Sequence, residues 1–467
     1  LPTIALLVEA LESRQLLTDI FVTTTDDAVV SDSVTSLREA VLQANASNDS
    51  AFIYLGSGTF TLTMGAGDDV GAVGDLDIFN PNYLVTIIGA GHDQTIIDGG
   101  GLDRVFHILP GAVVRLENLT IQGGQTTESG GGIRNEGSLS LTGVKLLNNV
   151  SGSEGGAIWN SVSGVLNVDG SRIAMNQAAT GGAAIFNLGL ASINGSLVID
   201  NSQPTPSSPG TPSGVLTNVG SQAQMTVIAS EVVGGAGSLD VGGLHNQGGT
   251  VEILRSTFNN NAGWSVGGVF NESGTMLIQN STFANNNGNQ VGAIRNDATL
   301  SVVHATVMYN SAQGDTGGIF SGPNATSLLQ NSIVAGSQTN QTPGPDLSGP
   351  FNSSGSNLIG IAGSVVGLNL SQGDQFGTSA MPLDPRLLPL GDYSRDSFSI
   401  PKQGLLVPPM LTFLPMEDSP AIDAANPGNG PAVDQYGHPR PTFAGVAFAS
   451  DIGAVERFFG TLRGRAF

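Results

Sequence analysis

The 467-residue chain predicts an all-β fold, a right-handed parallel β-helix built from coils of about 25 residues. Three observations predict it. A short Gly- or Ala-containing signature ending in Asn recurs along the chain, short alternating strands follow each copy, and Asn-rich corners separate the copies.

The signature is clearest in Gly131-Gly132-Ile133-Arg134-Asn135 and Gly156-Ala157-Ile158-Trp159-Asn160. Its Asn falls at Asn135, Asn160, Asn187, Asn218, Asn246, Asn271 and Asn296, with Ser321 next, and the intervals are 25, 27, 31, 28, 25, 25 and 25. Ile133, Ile158, Ile185, Leu216, Leu244, Val269, Ile294 and Ile319 then share one position, an aliphatic row for the interior. Strands of three to five residues, such as Thr250–Ile253 and Ser256–Phe258, are too short to stand as hairpins. Stacked at ~4.8 Å per coil they make continuous parallel sheets, about 11–12 coils and ~55 Å over residues 50–340. The recurrent Asn suits a corner, where it tolerates the left-handed region and bonds the amide one coil above. Leucine-rich repeats, the competing solenoid, would need a leucine-dense consensus that is absent.

The ends need covers, because bare strand edges invite pairing. Ser36 and Glu39 form a capping box before a helix over 35–46, whose apolar face is Leu37, Ala40, Val41 and Ala44. The expected layout is a lead-in over 1–34, the β-helix with its helix over 35–345, and an irregular C-terminal region over 346–467. The 31-residue interval holds Gln203–Pro212, a proline-rich inserted loop.

Composition narrows the function. With 16 Lys+Arg against 38 Asp+Glu the net charge is −22, so no nucleic-acid partner is expected. There is no cysteine and no apolar run of membrane-spanning length, so thiol chemistry and a transmembrane segment are both excluded. No Ser-His-Asp set, phosphate loop or polygalacturonase-like group of acids assembles, and His245 and His304 stand alone. The chain therefore reads as non-catalytic, with no cofactor except calcium. Asp68, Asp69, Asp75 and Asp77 are the candidate calcium ligands, against the plainer reading of solvated turn caps. The residue between the inward aliphatic and the Asn is Arg134, Trp159, Phe186, Thr217, His245, Phe270, Arg295 or Phe320. The four aromatics there could stack on sugar rings or pack at corners.

The termini offer an assembly route. Leu7, Leu11, Leu16 and Leu17 at one end, and Arg457, Phe458, Phe459, Arg463, Arg465 and Phe467 at the other, could join an acidic chain head to tail into a homo-oligomeric filament. The alternative is that both segments fold back on their own solenoid.

Three segments resemble known modules. Thr35-Ser36-Leu37-Arg38-Glu39-Ala40 is similar to the CSLREA motif that opens many bacterial surface β-helices, with Thr35 in place of the Cys. Asp384–Leu387, Ser419–Ala424, Asp434–Arg440 and Asp451–Glu456 resemble the choice-of-anchor Q domain. Val8–Leu17 is similar to the LEPR-XLL segment of planctomycete exported proteins, with Ser13 in place of the Pro. These resemblances imply a secreted, cell-surface or extracellular protein and supply no catalytic residues. The expected function is structural or adhesive, with a polysaccharide-binding or polysaccharide-degrading (lyase or hydrolase) β-helix as the alternative.

Overall fold

In the computed structural model, the residues described are 17–65, 70–204, 211–237, 240–340, 342–394, 406, 408–426, 430–441 and 449–457. The architecture is a right-handed parallel β-helix. A regular coil lays down Ile133–Asn135, Ser138–Thr142, Lys145–Leu147 and the two-residue strand Val150–Ser151. Stacked coil on coil, the first two positions form ladders within one 23-stranded sheet, and the third forms a 13-stranded sheet. Register along the first ladder's signature is regular: Ile133 pairs with Ile158 and Ile158 with Ile185, so like residues lie above like, while shifts occur elsewhere, as between Asn246 and Thr250. Alternation then turns Ile133 and Asn135 inward while Arg134 points out. The eight-membered aliphatic row from Ile133 to Ile319 is at 0% exposure throughout. Each such side chain contributes about 1.5–3 kcal/mol of burial.

The signature's glycines have a packing reason. A Cβ on Gly156 would sit 2.3 Å from the carbonyl oxygen of Ala183 in the next coil. The Asn row is a buried chain of amides: Asn135 Nδ2 donates to Asn160 Oδ1 (2.6 Å), and the pattern repeats to Asn271 Nδ2 donating to Asn296 Oδ1 (2.8 Å). These Asn lie within strands, not in the left-handed region expected for them. Positive φ falls instead on corner residues such as Asn148, Asn260 and Asn285 (53–54°). Beside those corners runs a second amide ladder, Asn149 to Asn176 to Asn201 and Asn261 to Asn286 to Asn310.

The stack is longer than expected at both ends. Leu17–Phe21, within the supposed lead-in, pairs in parallel with Ser50–Tyr54. At the far end, strands from Leu347–Pro350 to Gln375–Phe376 prolong the ladders beyond 345. The helix spans Leu37–Ala46, with both hydrogen bonds of the capping box from Ser36 and Glu39 present. Its buried face, Leu37, Ala40, Val41 and Ala44, joins the main core.

Beyond Phe376 the chain turns back along the outer face of the third ladder. Thr257 Oγ1 donates to Leu411 O (2.7 Å), and Ala454 N donates to Thr306 Oγ1 (2.9 Å). Leu387, Phe413, Ala421 and Ile452 pack on Ala284, Met308, Ile333 and Leu358, a second apolar core outside the helix.

Candidate functional site

The outward position of the first ladder makes one straight row. Hydrogen-bonded register aligns Asp77, His107, Arg134, Trp159, Phe186, Thr217, His245, Phe270, Arg295 and Phe320, one residue per coil. Two stretches carry cation–aromatic pairs. The Arg134 guanidinium lies 5.0 Å from the Trp159 ring and is held by Glu136 at 2.6 Å. Arg295 sits 5.0 Å from Phe270 and 5.8 Å from Phe320, held by Asp297 at 2.9 Å. Six coils separate Trp159 from Phe320, about 29 Å at the inter-strand spacing.

The middle of the row is packed away. Phe186 and Phe270 are buried, so these two are not presented for stacking, unlike the half-buried Trp159 and Phe320. Val241, Val266 and Val291, stacked on one another in adjacent turns, bank against Phe270 and Phe320. His245 is buried too. It stacks on Phe270, accepts from Ser213 N and lies 3.0 Å from Glu272, whose carboxyl is held below its usual range chiefly by that hydrogen bond. His304 lies under the C-terminal segment, where burial keeps its pKa well below the ordinary value.

At the N-terminal end of the row is a buried polar cluster. Asp75 and Asp77 flank Leu76 at the first strand of the first ladder, Leu76–Ile78, and both are almost wholly buried. They are therefore not solvated turn caps. His107 Nδ1 is 3.2 Å from Asp77 Oδ1, and Arg104 Nη1 is 3.2 Å from Asp75 Oδ2. Arg104 also reaches Glu128 at 2.8 Å. Burial first, and then the neighbouring Asp77 charge, push the Asp75 carboxyl up to about 7, with Arg104 opposing. Asp68 and Asp69 fall outside the described residues. His107 and Arg104 went unrecognised in the sequence because their coil lacks the Asn signature that fixes register elsewhere. The available signal was the strand-like Val105–Ile108, one coil before Ile133.

Of the assembly residues, Leu7, Leu11, Leu16, Phe458, Phe459, Arg463, Arg465 and Phe467 fall outside the described residues. Leu17 is exposed on the end strand, as is Phe21. Arg457 folds back: its guanidinium donates to Pro415 O (2.5 Å) and pairs with Glu417 (3.3 Å). The proline-rich loop lies mostly outside the described residues. No helix among them is long and apolar enough to cross a membrane.

No family model matches the chain, and no curated protein matches it. A solved structure described as the crystal structure of pectate lyase Pel9A superposes with a TM-score of 0.51 at 15% identity, covering 95% of this chain and 96% of that one. At that identity the likeness is one of fold.

Proposed function

We propose that the chain is a non-catalytic glycan-binding β-helix of a cell-surface or extracellular protein, with the outward row of the first ladder as its binding face. The observation that carries this reading is the pair of half-exposed Arg–aromatic anchors, Arg134 with Trp159 and Arg295 with Phe320, on one straight line. A ring face takes the apolar face of a sugar, and a guanidinium donates to its hydroxyl or carboxylate oxygens. A linear polymer suits a linear row. Two anchors about 29 Å apart favour a chain long enough to touch both, through effective concentration. The solved structure of similar fold is named a pectate lyase, which supports polysaccharide as the ligand class for such a surface.

Degradation is the second reading, favoured by Asp75 with its pKa near neutrality at the end of the row. Against it, Asp75 is buried and its carboxylate is engaged by Arg104. Head-to-tail assembly draws support from the exposed edge strand Leu17–Phe21, while the inward engagement of Arg457 weighs against its tail acting as a joint.

A glycan array followed by product analysis tests the proposal. Saturable binding to a polysaccharide without new reducing ends or unsaturated products is the expected result. Turnover that disappears in Asp75→Asn would replace it with the degradative reading.

A further inference from the structure

We infer that Asp75, Asp77 and His107 form a binding site for one transition-metal dication of the zinc class, pinning the first strand of the first ladder to the coil above. One ligand atom from each of the three residues can be chosen so that all lie within 4.8 Å of one another. Asp77 Oδ1 and His107 Nδ1 are 3.2 Å apart. Two ligands about 2.1 Å from one zinc ion, at tetrahedral to octahedral angles, are about 3.0–3.4 Å apart. Asp77 Oδ1 is buried, receives no hydrogen bond and faces His107 Nδ1 at ion-pair distance, a position where a cation shared with the imidazole would satisfy that oxygen.

The two aspartates are also steadied from behind, as metal ligands are. Asp77 accepts Gly71 N–H through Oδ2 (2.8 Å), which aims Oδ1 at His107. Asp75 holds Arg104 through Oδ2. His107 Nε2 lies 3.8 Å from Glu136 Oε1, beyond hydrogen-bond distance, and that oxygen is bonded by Arg134 (2.6 Å). The imidazole and the small ligand number select zinc over calcium, which takes six to eight oxygens. The consequence is structural. Arg38 on the helix already binds Gly71 O, Gly74 O and Asp75 O, so an ion at this point would lock helix, connecting segment and first two coils together.

The test uses the purified chain stripped with EDTA, titrated calorimetrically with zinc, calcium or magnesium chloride and then melted. One zinc per chain and a raised melting temperature are expected, with calcium giving neither at tenfold higher concentration. His107→Gln should weaken zinc binding at least tenfold and abolish the thermal shift. Asp77→Asn, which keeps the side chain's shape and removes its charge, should weaken zinc binding at least tenfold, and this variant carries the test if His107→Gln fails to fold. Absence of zinc binding by the wild type, unchanged zinc binding in a folded His107→Gln, wild-type affinity in a folded Asp77→Asn, or a preference for calcium would each overturn the site.

Discussion

Asn271 shows how much one side chain does in a coil. Its Nδ2 donates to Asn296 Oδ1 and to Thr299 O, while its Oδ1 accepts from Asn246, the three Asn being at zero exposure. Asn271→Ala strands buried partners above and below and should cost about 2–4 kcal/mol, read as a lowered denaturant midpoint. Asn271→Asp should cost more despite its identical shape, because a carboxylate oxygen would replace the donor that faces two acceptors. A larger loss in Ala than in Asp would show that the amide chain is not what the position supplies. Glu231 gives a pH signature. It points outward from the third ladder between Leu197 and Thr257, and burial pushes its pKa up to about 7. The folded state therefore binds its proton more tightly than the unfolded chain. Its contribution to stability is complete below the unfolded value near 4.5 and is lost as pH rises through about 7. Glu231→Gln should raise the melting temperature at pH 8 and leave it nearly unchanged at pH 4.5; equal shifts at both would contradict the account.

At the scale of elements, the regular coils were legible because every one repeats the same inward aliphatic and the same Asn, a pattern that states register outright. The strand Leu76–Ile78 was not, since its coil replaces that signature with two aspartates and arrives after a long connection. His107 stayed unassigned for the same reason: a residue 30 positions from Asp77 becomes its neighbour only once register is known. The returning C-terminal segment was harder still. Its docking points Thr257, Thr282 and Thr306 come one per coil, and nothing periodic in residues 377–457 answers them. The segments Asp434–Arg440 and Asp451–Glu456 are what tie it down. Arg440 is buried among Glu456, Asn280 Oδ1 and Gly453 O, and Asp434 accepts from His438 N and Glu456 N. Arg440→Ala leaves Glu456 buried without its partner, a loss of about 3–5 kcal/mol. That loss falls on the returning segment, so limited proteolysis should remove it first and leave a resistant solenoid with unchanged far-ultraviolet circular dichroism. Simultaneous loss of both would mean that the segment and the coils fold as one unit.

Over the whole molecule, regular register converts a one-dimensional repeat into a ruler. Residues about 25 apart in sequence come to lie at the spacing of neighbouring strands, and the outward row inherits that regularity while its residue types vary freely. This is why fold was read readily and function was not: the aliphatic and Asn rows obey a period, whereas Arg134, Trp159, Arg295 and Phe320 mean something only as a set. If the two Arg–aromatic pairs act together, affinity should climb with oligosaccharide length and level off once the chain spans about 29 Å. A flat length dependence would assign binding to one anchor alone. The most exposed aromatic among the described residues is Trp264, at 74%, so the row can be separated from it directly. The decisive measurement is the affinity of the best-binding polysaccharide for wild type, Trp159→Ala and Trp264→Ala, each verified as folded. The row predicts at least a tenfold loss in Trp159→Ala and a change within about twofold in Trp264→Ala. Retained binding in Trp159→Ala, with loss in Trp264→Ala, would contradict it.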